Sequence, residues 1–157
     1  MSTIGKQIHN NAVALISLFI AVSSLAYNTW RNETTEEQRN VRHASFRVLE
    51  NLGGLQQVVD MRYYYLPFET GQEREAESRI RGFGNVAMVN DLMMLMPGPA
   101  PAAGAALNSQ WNKHFSALDD IDAEGKHTPE ASQAERLLTR SIRDARQAVL
   151  DVLKKLD

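Results

Sequence analysis

The 157-residue chain has no cysteine. That excludes disulfides, thiolate metal sites, iron–sulfur clusters and thiol nucleophiles together. Net charge is also scarce: 17 Lys plus Arg against 19 Asp plus Glu leave −2 at pH 7. So weak a field does not gather a polyanion, and nucleic acid is not an expected partner. Known catalytic signatures are missing as well, with no Gly-x-Ser-x-Gly, no phosphate-cradling Gly-x-x-x-x-Gly-Lys and no His-Glu-x-x-His. Gly82-Phe83-Gly84 is too short for a nucleotide fingerprint, and no enzyme is expected. Prolines number only five, and all lie at breaks: Leu66-Pro67, the Pro97-Gly98-Pro99-Ala100-Pro101 run, and the Asp122-to-Pro129 stretch. The segments between these breaks are too long for ordinary strands and suit helices.

What is present starts with lipid-compatible sequence. Gln7 to Trp30 is a run of 24 residues without Asp, Glu, Lys or Arg, centred on AVALISLFIAVSSLA. As a helix it covers roughly 36 Å, enough for a hydrocarbon core of about 30 Å. Tyr27 and Trp30 place amphipathic rings at a headgroup boundary, and Arg31 marks the water edge. Two other readings compete with a permanent anchor. One is a cleaved secretory signal, with Lys6 ahead of the apolar run and Ser24-Leu25-Ala26 before a cut; the other is a buried core helix. The expected organisation is a tail over 1–11, a transmembrane helix over 12–30, and a helical domain over 31–157. Positive residues near the span are Lys6 before it and Arg31, Arg39, Arg42 and Arg47 after it, which favours a cytoplasmic carboxyl-terminal domain over a periplasmic one.

Four helical stretches follow. The first, about Arg31 to Tyr65, continues from the membrane with Val41, Val48, Leu52, Leu55 and Val59 on one face. Gly53-Gly54 in its middle predicts a bend or a close helix contact. The second, about Gln72 to Met96, carries Ile80, Phe83, Ala87, Met94 and neighbours; the third, about Ala102 to Leu118, aligns Leu107, Trp111, His114, Phe115 and Leu118. The fourth opens with Thr128-Pro129-Glu130, a capping hydroxyl, a first-turn proline and an acid at the positive dipole end. Its Leu138, Ile142, Ala145, Val149, Val152 and Leu156 keep the alternating spacing of a helix packed on helices. The fold class is therefore all-α: an N-terminal transmembrane helix continuing into an antiparallel bundle of about four helices. That alternation returns Lys154 and Lys155 towards Arg31, Arg39 and Arg42, either as ordinary helix-end charges or as a contact with membrane lipid.

Candidate sites follow from side chains that one core cannot absorb. Met88, Met93, Met94 and Met96 crowd one helix, and Leu92 to Met96 are consecutive, so some must face outward; Met93, Met94 and Met96 are candidate partner contacts. Tyr63, Tyr64 and Tyr65 cannot all point into one core. Arg136, Arg140 and Arg143 form a ridge at i, i+4 and i+7, partly balanced by Asp144. Asp120 to Gly125 matches the opening of a calcium loop, but Ala131 stands where the closing Glu is needed, and turn chemistry accounts for the same residues. The histidines, His9, His43, His114 and His127, show no ligand pairing, and neither metal nor cofactor is expected.

The junction Ala26-Tyr27-Asn28-Thr29-Trp30-Arg31-Asn32-Glu33, followed by Arg39-Asn40-Val41-Arg42, resembles the membrane exit of small, uncharacterised single-pass proteins of Gram-negative bacteria over roughly the first 60 residues. The resemblance implies a bacterial inner-membrane setting and carries no activity or binding residues. The expected role is an accessory or scaffold subunit that binds another membrane protein, a complex, or a second copy of itself. The alternative is a ligand-sensing helical input domain that signals through a partner.

Overall fold

In the computed structural model, which describes residues 11–65, 67 and 72–156, four α-helices follow one another: α1 (Ala12–Tyr64), α2 (Gln72–Met94), α3 (Ala100–His114) and α4 (Pro129–Lys154). A short 3₁₀ turn, Phe115–Ala117, extends α3. The expected tail before Asn11 and most of the Leu66-to-Gly71 break lie outside the described residues. The chain divides into two compact units, one ending at Asn40 and one running from Val41 to Asp157. The bundle thus starts later than the expected Arg31, because burial along α1 begins only at Ser45, Val48 and Leu52.

Within the second unit, cross-helix pairs fix the directions. Arg62 meets Ser78, Val58 approaches Gly82 and Gly54 approaches Asn85, so α1 and α2 are antiparallel. Tyr63 meets Ser132 and Gln56 meets Thr139, so α1 and α4 are antiparallel too. Gly82 lies against Trp111 and Gly104 against Met93, which sets α2 and α3 antiparallel. It follows that α2 and α4 run the same way. Each neighbours both α1 and α3, which places α2 and α4 on opposite sides of the bundle.

The core forms where the expected rhythms are cleanest. In α4, Ala131, Ala134, Leu138, Ile142, Ala145, Val149 and Val152 are buried at steps of three or four. Thr128 Oγ1 accepts from Ala131 N at 3.1 Å and Pro129 opens the first turn. Leu107, Trp111, Phe115 and Leu118 line the inner side of α3 and its 3₁₀ extension, as the spacing predicts. Trp111 and Phe115 stack at 5.1 Å, with Phe83 edge-on to Phe115 at 5.2 Å.

Helix α2 buries only some of its apolar residues. Ile80 is 76% exposed and Met94 60%, while Ser78, Gly82, Val86, Val89 and Met93 face inward. The inward column contains a serine and a glycine because the space is already taken. A Cβ on Gly82 would lie 2.7 Å from Trp111 Cζ2. Small residues let α2 approach the large rings of α3, and Ile80, Met88 and Met94 are left outside.

Candidate functional site

Residues 12–40 of α1 are exposed apart from the half-buried Ala12. Its most apolar 18-residue window has a mean hydropathy of 1.7, and none of that window is buried by the rest of the described chain. This is one helix long and apolar enough to cross a membrane. Tyr27 and Trp30 pack with ring centroids 6.3 Å apart at the end of the apolar run, with Arg31 exposed beside them. Just beyond, Thr34 Oγ1 donates to the Trp30 carbonyl at 3.0 Å and Thr35 Oγ1 to the Arg31 carbonyl at 2.8 Å, which keeps hydroxyls satisfied within the helix. Glu36 pairs with Arg39 at 3.1 Å on the exposed face.

The methionine group divides. Met93 is fully buried and Met96 nearly so, both in the main core, so neither is an exposed partner contact as expected. Met93 lies on the inward column and packs against Gly104, where a Cβ would stand 3.0 Å from the Met93 Cβ. Met94 and Met88 remain outside with Leu95, which is 78% exposed.

Of the tyrosines, Tyr63 is taken up by the bundle, a correction to its candidacy as a partner contact. It stacks on His127 at 3.9 Å and 12°, and its hydroxyl shares a hydrogen bond with Ser132 Oγ at 3.1 Å. Tyr64 and Tyr65 remain exposed, with Tyr64 packed edge-on to Tyr63 at 4.8 Å. The limited burial that Tyr64 has, reinforced by the carboxylate of Glu135, holds its phenol above the ordinary range. A raised phenol binds its proton more tightly when folded. Its contribution is therefore complete below about pH 10, where unfolded tyrosine ionises, and is lost as pH climbs through the folded value. Tyr64→Phe should flatten that alkaline part of the stability curve, read as denaturation midpoints across alkaline pH; an unchanged slope would contradict this cause.

Arg136, Arg140 and Arg143 are exposed along α4 as the spacing predicts, and Arg140 lies 3.9 Å from Asp144. On the opposite side of the bundle, α2 carries an open depression of about 670 Å³ lined by Glu73, Ala76, Glu77, Ile80 and Arg81.

Sequence reasoning missed a polar cluster in the core. Arg62, 3% exposed, sends Nη2 to both Asp119 oxygens at 2.7 Å and Nη1 to Ser78 Oγ at 3.1 Å, with its guanidinium 4.5 Å above the Phe115 ring. No local spacing signals it, because the partners come from three elements. Next to it, the suspected calcium loop is turn chemistry: Asp122 Oδ1 accepts from Glu124 N at 3.0 Å and Lys126 N at 2.8 Å, and Gly125 adopts a φ of +77°. Ile121 and His127 then bridge across the turn. His114, expected on the apolar stripe, is half-buried at the end of α3. Among the described residues, no three His, Cys, Asp or Glu are grouped to hold a metal ion.

The chain matches no family model, and no curated protein or solved structure matches it. Its functional reading therefore rests on its own surfaces: an uncovered apolar helix, an arginine column on α4, and an exposed mixed face on α2.

Proposed function

We propose that this is a single-pass membrane-anchored helical interaction protein, an accessory or scaffold subunit of a membrane protein complex. The observation that carries the reading is the apolar window of α1, none of which the described chain buries. Apolar surface on that scale gains about 25 cal/mol per Å² on leaving water, and lipid is the medium that accepts a helix apolar on every side. Tyr27, Trp30 and Arg31 supply the interfacial boundary. The setting we propose is a bacterial inner membrane, on the resemblance of the Ala26-to-Arg42 junction. Arg31, Arg39, Arg42 and Arg47 after the span, against Lys6 before it, favour a cytoplasmic bundle.

The interaction role is supported by side chains that the bundle leaves exposed: Met94, Leu95, Tyr64, Tyr65 and the Arg136-to-Arg143 ridge. Purification of the full chain from membranes in mild detergent tests it. A companion held at fixed stoichiometry, whether a different protein or further copies, is the expected outcome; a bare monomer carrying a small molecule would contradict the scaffold reading and favour sensing.

A further inference from the structure

Two exposed columns on opposite sides of the bundle share one spacing. On α2, Glu73, Glu77, Ile80, Gly84, Ala87 and Asp91 follow steps of four and three, and every one is exposed. On α4, Arg136, Arg140, Arg143, Gln147, Leu150 and Lys154 follow the same steps, and every one is exposed. Such steps generate the straight seam along which two helices pack. Laid side by side in the same direction at a single register, the columns oppose Glu73 to Arg136, Glu77 to Arg140 and Asp91 to Lys154, and set Ala87 against Leu150. The acidic residues all fall on one column and the basic residues on the other.

We propose that the α2 face of one copy docks on the α4 face of a second copy of this chain. Charge complementarity within one register favours this contact. Pairing α2 with itself fails on the same charges: a parallel match opposes Glu77 to Glu77 and Asp91 to Asp91. Because α2 and α4 run the same way within a bundle, the contact keeps every copy in one orientation, as chains anchored in one membrane require. It is a heterologous contact, so each docked copy leaves one α2 face and one α4 face open, and association continues into a ring or a row. This deepens the interaction reading above by naming the partner.

The natural absence of cysteine makes the test direct. Full-length chains carrying Glu77→Cys alone, Arg140→Cys alone, or both, are placed in membrane vesicles and treated with a short bismaleimide. Mixing the two single variants should give a cross-linked dimer at several times the yield of either alone, and the double variant should give a ladder beyond the dimer. With Glu73→Cys and Arg136→Cys as reporters, Glu77→Arg should abolish the ladder and Glu77→Arg with Arg140→Glu in the same chain should restore it. Raising ionic strength should lower the yield, because the paired charges are exposed. Self-linking of Glu77→Cys, or no linking of any pair, would overturn the proposal. Linking of Glu77→Cys only to a different protein would overturn the self-association while leaving the scaffold reading standing.

Discussion

Asp119→Asn is expected to destabilise the bundle by about 3 kcal/mol, the low end of the range for breaking a buried ion pair because Asp119 keeps some access to water. The guanidinium of Arg62 sits at 4% side-chain exposure with both carboxylate oxygens 2.7 Å from Nη2. Asparagine keeps one acceptor, removes the charge, and turns an amide donor towards a donor. Arg62 cannot withdraw to water, since Ser78 and the Phe115 ring enclose its other sides, and Ser78 Oγ is itself committed to the Glu75 carbonyl at 2.8 Å. Removing both charges together, as Arg62→Met with Asp119→Leu, should cost less than Asp119→Asn alone, because no unpaired charge then stays inside. Thermal unfolding of the full chain in mild detergent measures this, with a fall of roughly 10 °C expected for Asp119→Asn. An equal or larger loss in the double variant would show that the pair does not act as described.

Gly82→Val is expected to cost about 2 kcal/mol or more through overpacking. A Cβ at this position meets Trp111 Cζ2 at 2.7 Å and both Phe115 Cε2 and Val58 Cγ1 at 3.2 Å. Trp111 and Val58 are at most 1% exposed and Phe115 is 2% exposed. None is the free end of a flexible chain, so relief requires α2 to move away from α3. Gly53→Ala provides the opposite case. Nothing lies within 4 Å of its built Cβ, and a helical alanine there should stabilise the bundle by about 0.5–1 kcal/mol through lower backbone entropy in the unfolded chain. The two substitutions should therefore shift the melting temperature in opposite directions. A Gly82→Val chain as stable as the parent would mean that the approach of α2 to α3 is looser than these distances state.

The same glycine explains what could be read from sequence and what could not. Helix α4 was legible because its inward residues are apolar at regular spacing and its start is marked by Thr128-Pro129. The inward face of helix α2 was not legible, because its column includes Ser78 and Gly82 while Ile80 and Met94 outside it are more hydrophobic. Adjacent methionines give no sequence signal for choosing between Met93 inside and Met94 outside; the register of α2 against Gly104 decides. The close contact expected at Gly53-Gly54 is found at Gly54, against Asn85. Arg62 and Asp119, like Tyr63 and His127, are separated in sequence by two helices, and charge or ring counts along the chain do not reveal such partners. The arginine ridge was visible from its own spacing. Glu73, Glu77 and Asp91 on α2 also share a face by spacing, but only the orientation of α2 shows that this face is exposed.

Alkaline washing of membranes that contain the full chain, followed by amino-terminal sequencing, tests the anchoring claim most directly. The chain should stay in the membrane pellet with its apolar segment intact. Phe19→Arg with Val22→Arg should release it, since each arginine near the middle of a span costs about 2.5–3.5 kcal/mol on the insertion scale. A polypeptide recovered in the wash that begins at Tyr27 would contradict the account.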